Sequence, residues 1–490
     1  MQGRSRATIG LLLPLLVAIV SELLRLQLLR ARPLWFDELF TFWAARLPLQ
    51  GPSGLLDALR FDSGPPGFYL LEKPFALLAD RFAESNGDAW LRTPSFLAGL
   101  GLLWGMRTLT SGISRALFVI LVSGSTLLNL YAAEARAYAA LAALALALFL
   151  LALRGAETGR RLAATAVVAA LALYTHYLAL FVVAALLLLA AQARRWRSCA
   201  GLLVGTVVFL PWLPILRAQP AAAVAWIREP AAASSVGVLS ALGGVGRVPG
   251  AFGTLPWSVL YAGGVAVGAA CLVLLLLAAR RERDAAQSAA FVLLVLGGVA
   301  AAGLFRPILF PGRTELAVLP VWVWGIASAS RGGRALRAAG GVAAALGLVA
   351  TVALARQPHP LSPLSAVTES LARAAEPGDS VLAAGSFYLP ARLASERRQL
   401  AADVSALPVE LAKHPGWFVP ALPGRSEEEL LASTLAGVPP GSRLFLVLPA
   451  PYQTEGMNRV LADAGGQVRP LIRSRDAAVT LWAPRHPAIP

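Results

Sequence analysis

Apolar runs recur from residue 7 to residue 355. Most approach the ~20 residues that a helix rising about 1.5 Å per residue needs to cross a hydrocarbon core. They fall at 7–29, 92–110, 114–131, 135–153, 162–175, 177–193, 199–214, 257–279, 288–305, 315–330 and 338–355, which predicts about eleven spans. With 57% of the chain hydrophobic and 14% charged, a soluble globular fold is excluded and the bulk of the chain must face lipid. The first run has no small-residue cleavage site after it and reads as a retained anchor.

The formal net charge of +16 raises nucleic acid as a partner, and arginine placement dismisses it. Arginines gather in short loops after alternate runs: Arg4 and Arg6, Arg107 and Arg115, Arg154 with Arg160 and Arg161, Arg194 with Arg195 and Arg197, Arg280 with Arg281 and Arg283, and Arg331 with Arg334 and Arg337. That is the positive-inside pattern, and it predicts a cytoplasmic N-terminus and an extracytoplasmic C-terminal tail. The stretch 162–192 is too short for two ordinary spans and too long for one untilted span. A single crossing would separate Arg160–Arg161 from Arg194–Arg195, so the expected form is a hairpin of two short helices with Tyr174-Thr175-His176-Tyr177 at its tip. Cys199 and Cys271 are expected to stay unpaired.

This divides the chain into a membrane module, 1–355, and a soluble domain, 356–490, in which helical and strand-like segments alternate as in a small α/β fold. The helical segments are 366–375, 427–436 and 454–464; the strand-like ones are 380–384, 443–448 and 477–482. No phosphate-binding glycine fingerprint occurs there. Two outer loops, 33–91 and 216–255, are too long to be mere connectors. The first carries aromatics beside charges, as interfacial helices do. The second is rich in Ala, Gly and Pro around Trp226-Ile227-Arg228-Glu229-Pro230.

The residues that can carry chemistry lie mostly in the outer segments. Asp37-Glu38 follows a Trp-Phe anchor, and a carboxylate held in such an apolar surround has a raised pKa suited to taking a proton from a hydroxyl. The plainer reading is that Asp37 caps a helix beginning at Glu38. Asp62 precedes a turn fixed by Pro65-Pro66 and followed by Gly67-Phe68-Tyr69. In Glu134-Ala135-Arg136-Ala137-Tyr138, a helix puts Glu134 and Tyr138 on one face, whereas an extended chain puts all three polar residues together. His176 is either a metal or phosphate contact or a hydrogen-bonded filler. Arg306 and Arg313 stand against the positive-inside trend, and an anionic phosphate on a lipid carrier gives such cations a purpose.

Taken in order, Leu34-Trp35-Phe36-Asp37-Glu38, Asp62 with Pro65-Pro66-Gly67-Phe68-Tyr69, Leu91-Arg92-Thr93-Pro94-Ser95, Glu134-Ala135-Arg136-Ala137-Tyr138, Thr175-His176-Tyr177 and Arg313 resemble the GT-C class of membrane glycosyltransferases. The resemblance covers residues 30–330 and is to the bacterial branch similar to protein O-mannosyltransferases and the lipid A aminoarabinose transferase. It implies a sugar donor on polyprenyl phosphate, inverting transfer at the outer face of a bacterial cytoplasmic membrane, and a lipid, protein or glycan acceptor. It implies Asp37 as general base, with Glu38 beside it, and Arg136 and Arg313 at the donor phosphate, whose departure needs pre-placed cations. Asp62, Glu134, Tyr138, His176 and Tyr177 complete the implied substrate contacts. No nucleotide is needed. Many relatives carry His where this chain has Gly64, which leaves a divalent cation an option resting on Asp62 or His176. The tail resembles the variable appendages of the class.

A transporter or flippase would share the spans and the intramembrane charges, but internal repeats are absent from the sequence. An O-antigen-ligase-like enzyme usually has its large outer loop late, whereas here the charged loop comes first.

Overall fold

A computed structural model of the protein describes residues 2–484 apart from 52–53, 84–86, 221–223, 225–226, 228–230, 249–254, 307, 357–361, 398–399, 408, 413, 416–426, 437–441, 450–454, 465 and 474–476. Most of the 226–230 segment and the Pro-rich joint at 357–360 therefore lie outside the described residues. By packing, the chain forms two units: Met1–Arg32 with Ser63–Pro358, and Pro33–Asp62 with His359–Pro490. The sequence reading cut the chain at 355/356 and kept 33–91 with the membrane module; in the structure the first thirty residues of that loop group with the tail.

The first unit is helical, and the protein is a polytopic α-helical membrane protein. Five helices are long and apolar enough to cross a bilayer: Leu12–Arg30, Trp196–Ala218, Pro256–Ala279, Arg283–Gly303 and Arg334–Arg356. A sixth span results if Gly112–Gly124 and Thr126–Ala132, bent by 63° at Ser125, count as one. The remaining positions read from sequence as spans are helical but shorter, at Thr93–Gly101, Tyr138–Leu153, Gly159–Thr175, Ala179–Gln192 and Leu319–Ala329. Apolar side chains such as Leu16, Leu188, Val207 and Val259 are exposed on the outside of the unit, the inverse of a soluble fold and the arrangement lipid requires.

The break at Ser125 frees backbone groups that a hydrocarbon interior cannot solvate. The fold supplies partners for them. Asn129 Nδ2 donates to the Ser123 carbonyl at 2.8 Å, the Thr126 N–H donates to Gly244 O at 2.9 Å, and the Thr126 hydroxyl donates to Gly347 O at 2.9 Å. Backbone meets backbone here: a Cβ on Gly347 would lie 2.1 Å from Gly124 O and 2.4 Å from Gly244 O. Small residues permit this approach between membrane helices. Asn129 also accepts from Ser21 Oγ at 3.0 Å and from Nε of the fully buried Arg25 at 2.7 Å, and Arg25 pairs with Glu22 at 2.7 Å. Arg92 Nη1 caps the end of the first helix, donating to Leu29 O and Arg32 O, each at 2.7 Å.

In the second unit the sheet order is β2-β1-β3-β5-β4, with β1 (Asp379–Ala384) parallel to β2 (Ala402–Leu407) and to β3 (Leu444–Pro449), and β5 (Ala477–Pro484) antiparallel to β3 and to β4 (Gly466–Arg473). Helices Ser362–Ala374, Glu427–Ala436 and Glu455–Asp463 answer the segments read from sequence, and a helix at Tyr388–Glu396 links β1 to β2. Leu382, Leu407, Leu431, Leu435, Leu446, Leu461 and Trp482 are among the core residues. The small α/β domain is thus present. Segment 33–62 contributes helix Phe36–Arg46, whose Arg46 pairs with Glu396 at 2.7 Å, and an aromatic group in which Phe40, Trp43 and Phe61 surround His414 at ring separations of 5.4, 6.1 and 5.8 Å.

Candidate functional site

In the first unit the polar residues converge on the ring of Tyr138. The chain leaves helix Thr126–Ala132, bends so that the Arg136 N–H donates to the Glu134 carbonyl at 2.8 Å, and enters helix Tyr138–Leu153. Neither of the regular conformations weighed from sequence holds at Glu134–Arg136; a tight bend does. The Ser95 hydroxyl donates to Arg136 O at 3.0 Å and ties that bend to helix Thr93–Gly101. The Arg136 guanidinium stands 5.9 Å from the Tyr138 ring centre, and that of Arg313 stands 5.6 Å from the same ring and 4.8 Å from Phe310. The buried Tyr131, which feels the charge of Arg313, has its ring 4.9 Å from that of Tyr138. Glu134 is buried beside them.

His176 completes the group, with its ring 5.1 Å from Tyr138. Desolvation, reinforced by the charges of Arg136 and Arg313, pushes its pKa down to about 3, so the imidazole is neutral. Its Nδ1 accepts the Leu178 N–H at 3.1 Å, so the single ring proton sits on Nε2 as a donor. Two partly exposed guanidiniums held around one buried ring, with a neutral imidazole donor, form a place that favours an anion.

Other candidates serve the frame. Tyr177 is a link in a relay: Trp212 Nε1 donates to its hydroxyl at 2.8 Å, that hydroxyl donates to Gln219 Oε1 at 2.9 Å, and Gln219 Nε2 donates to Gly64 O at 3.1 Å. The relay anchors the Pro65-Pro66-Gly67 turn, where a Cβ on Gly67 would lie 2.5 Å from Tyr174 O. Arg306 donates to Pro220 O at 2.9 Å.

In the second unit Asp37 is 3% exposed in the first turn of helix Phe36–Arg46. It is not the cap: the helix starts after Trp35, and the carboxylate that reaches back to the Trp35 N–H, at 3.3 Å, is that of Glu38. Asp62 is half-buried after the 3-10 turn Leu59–Phe61. Among the described residues no group of three or more His, Cys, Asp or Glu is arranged to hold a metal ion.

The arrangement of helices and appended sheet defines a GT-C type of fold. Solved structures that share it include those of ArnT from Cupriavidus metallidurans. In the crystal structure bound to undecaprenyl phosphate the TM-score is 0.57 at 14% identity, covering 97% of this chain and 98% of that one. In the apo crystal structure the TM-score is again 0.57 at 14% identity, with 98% of each chain covered. No protein-family model matches the sequence, and no curated protein does.

The sequence reading passed over Ser95, Tyr131 and Glu315. Ser95 stands in the quoted Leu91–Ser95 motif, but its bond to a carbonyl forty-one residues on is a property of the fold. Tyr131 lies in an apolar run, and Glu315 looks like the edge of one.

Proposed function

We propose that the protein is an inverting glycosyltransferase that takes a sugar from polyprenyl phosphate and passes it to an acceptor at the outer face of a bacterial cytoplasmic membrane. The observation that carries this reading is the group around Tyr138, where Arg136, Arg313 and the Nε2–H of His176 offer fixed positive charge and hydrogen-bond donors. Likeness in fold to ArnT, solved with undecaprenyl phosphate, supports it. The carbon–oxygen bond to phosphate breaks as the acceptor oxygen attacks from the opposite side, which inverts the anomeric centre. The lipid phosphate leaves with a new negative charge, which the two guanidiniums stabilise without reorganising. The acceptor's proton passes to a carboxylate, and Asp37 is the one assigned to it. Glu38, engaged with the Trp35 N–H, holds the start of the Asp37 helix.

Purified protein tests the scheme with undecaprenyl phosphate binding and with sugar transfer from a polyprenyl-phosphate donor. Asp37→Asn should bind undecaprenyl phosphate normally and lose transfer; near-normal transfer refutes Asp37 as base. Arg313→Ala should lower kcat/KM by about 10²–10³-fold, the scale of one preorganised charge contact. Undecaprenyl phosphate binding unchanged by Arg313→Ala refutes the phosphate site.

A further inference from the structure

Arg313 emerges from a five-residue turn fixed at both ends. The Arg313 and Thr314 N–H groups each donate to Phe310 O at 3.1 Å, and the Phe310 N–H donates to Thr314 Oγ1 at 3.0 Å. The residue before Arg313 is the weak point. Gly312 has φ +90, and a Cβ there would lie 2.2 Å from Arg247 O, so the path of the chain demands glycine. Glycine also brings the widest backbone freedom of any residue, one peptide away from the guanidinium the site depends on.

That freedom is removed by Glu315. Its carboxylate, 0% exposed, accepts the Gly312 N–H on Oε2 at 2.8 Å. A carboxylate buried so fully is expensive to keep, and an apolar residue of similar volume would often serve stability as well or better. Its hydrogen bond goes to the backbone of the turn. We infer that Glu315 is a positioning residue for the donor phosphate: by fixing the Gly312 peptide it sets the direction in which Arg313 leaves the turn. This deepens the proposed function and rests on Arg313 meeting the phosphate.

The test is a double-mutant cycle on full-length protein, reading undecaprenyl phosphate affinity and the KM and kcat of transfer, with monodispersity and thermal midpoint as controls on folding. Glu315→Ala should weaken undecaprenyl phosphate binding by about tenfold, the scale of one hydrogen bond, and raise KM more than it lowers kcat. Glu315→Gln keeps an acceptor oxygen and should stay within about twofold of wild type, because geometry and not charge is what it supplies. In an Arg313→Ala background, Glu315→Ala should cause no further loss of affinity, since coupled residues are not additive. Full additivity, or a Gln variant as weak as the Ala variant, overturns the inference. Should Arg313→Ala bind normally, the phosphate reading itself fails; should Arg313→Ala bind weakly and Glu315→Ala normally, only the positioning role fails.

Discussion

At Asp379, burial pushes the carboxyl up, but hydrogen bonds from Arg443 and from the Glu376 N–H, with the Arg443 charge, outweigh it and hold the group below the usual carboxylate range. Arg443 grips it with two bonds, Nε to Oδ1 at 3.1 Å and Nη2 to Oδ2 at 2.7 Å. A depressed folded pKa contributes stability that is present above the unfolded value, about 4, and is lost as pH falls through the folded one. Asp379→Asn should therefore lower stability by about 1–3 kcal/mol at pH 7, with the difference from wild type shrinking as pH drops below about 4. Thermal unfolding in detergent across that range checks it, and a pH-independent difference contradicts it. Residue roles of this kind were hard to read from the chain. Glu38 and Asp37 are adjacent acids in sequence, yet it is Glu38 that reaches back to the Trp35 N–H at the helix start. Tyr177 sits next to His176 but belongs to a relay through Trp212 and Gln219. Hydrogen bonds to distant carbonyls, as at Ser95 and Arg92, leave no local mark.

Elements were more legible, because periodicity and apolar length are local. The runs appear as helices wherever they were placed, and the strands at 380–384, 443–448 and 477–482 have counterparts. β2 and β4 escaped notice for physical reasons. β2 is a short edge strand, Ala-Asp-Val-Ser-Ala-Leu, whose alternation rests on two alanines and one valine and so carries little hydrophobic signal. β4, the other edge, contains Pro470 at a register shift, and proline in a sheet is confined to such edges and bulges. The bend at Ser125 was equally hidden, since residues 114–131 read as one continuous apolar run. Its stability rests on the approach of Gly347 to Gly124 and Gly244. Gly347→Val should force these backbones apart and cost about 1–3 kcal/mol or more. Such a variant should melt lower than wild type in detergent, and an unchanged midpoint would show that the junction has room to spare.

For the whole molecule, arginine placement carried the sequence argument, and the structure gives those arginines a second task. Arg161 donates to Leu150 O and Leu151 O, and Arg195 to Ala152 O, Arg154 O and Gly155 O, so together they close the C-terminal end of helix Tyr138–Leu153. Charge asymmetry across the bilayer and helix capping select the same residue at the same place, so sequence alone cannot separate them. The topology they imply is testable with fusions after Arg356: a reporter active only outside the cytoplasm should be active there, and activity from a cytoplasm-only reporter contradicts the assigned orientation.

Helix Tyr138–Leu153, whose first residue is the hub of the candidate site, has 16 residues. At about 1.5 Å per residue it reaches about 24 Å, against a hydrocarbon thickness of about 30 Å. A helix that stops short leaves its end below the level of the headgroups unless the bilayer thins to meet it. On the proposed function, in which the substrate is anchored by a long isoprenoid chain, that difference in depth has a consequence: the phosphate would be met where it already lies, with the tail still dissolved among acyl chains and no prior extraction from the membrane.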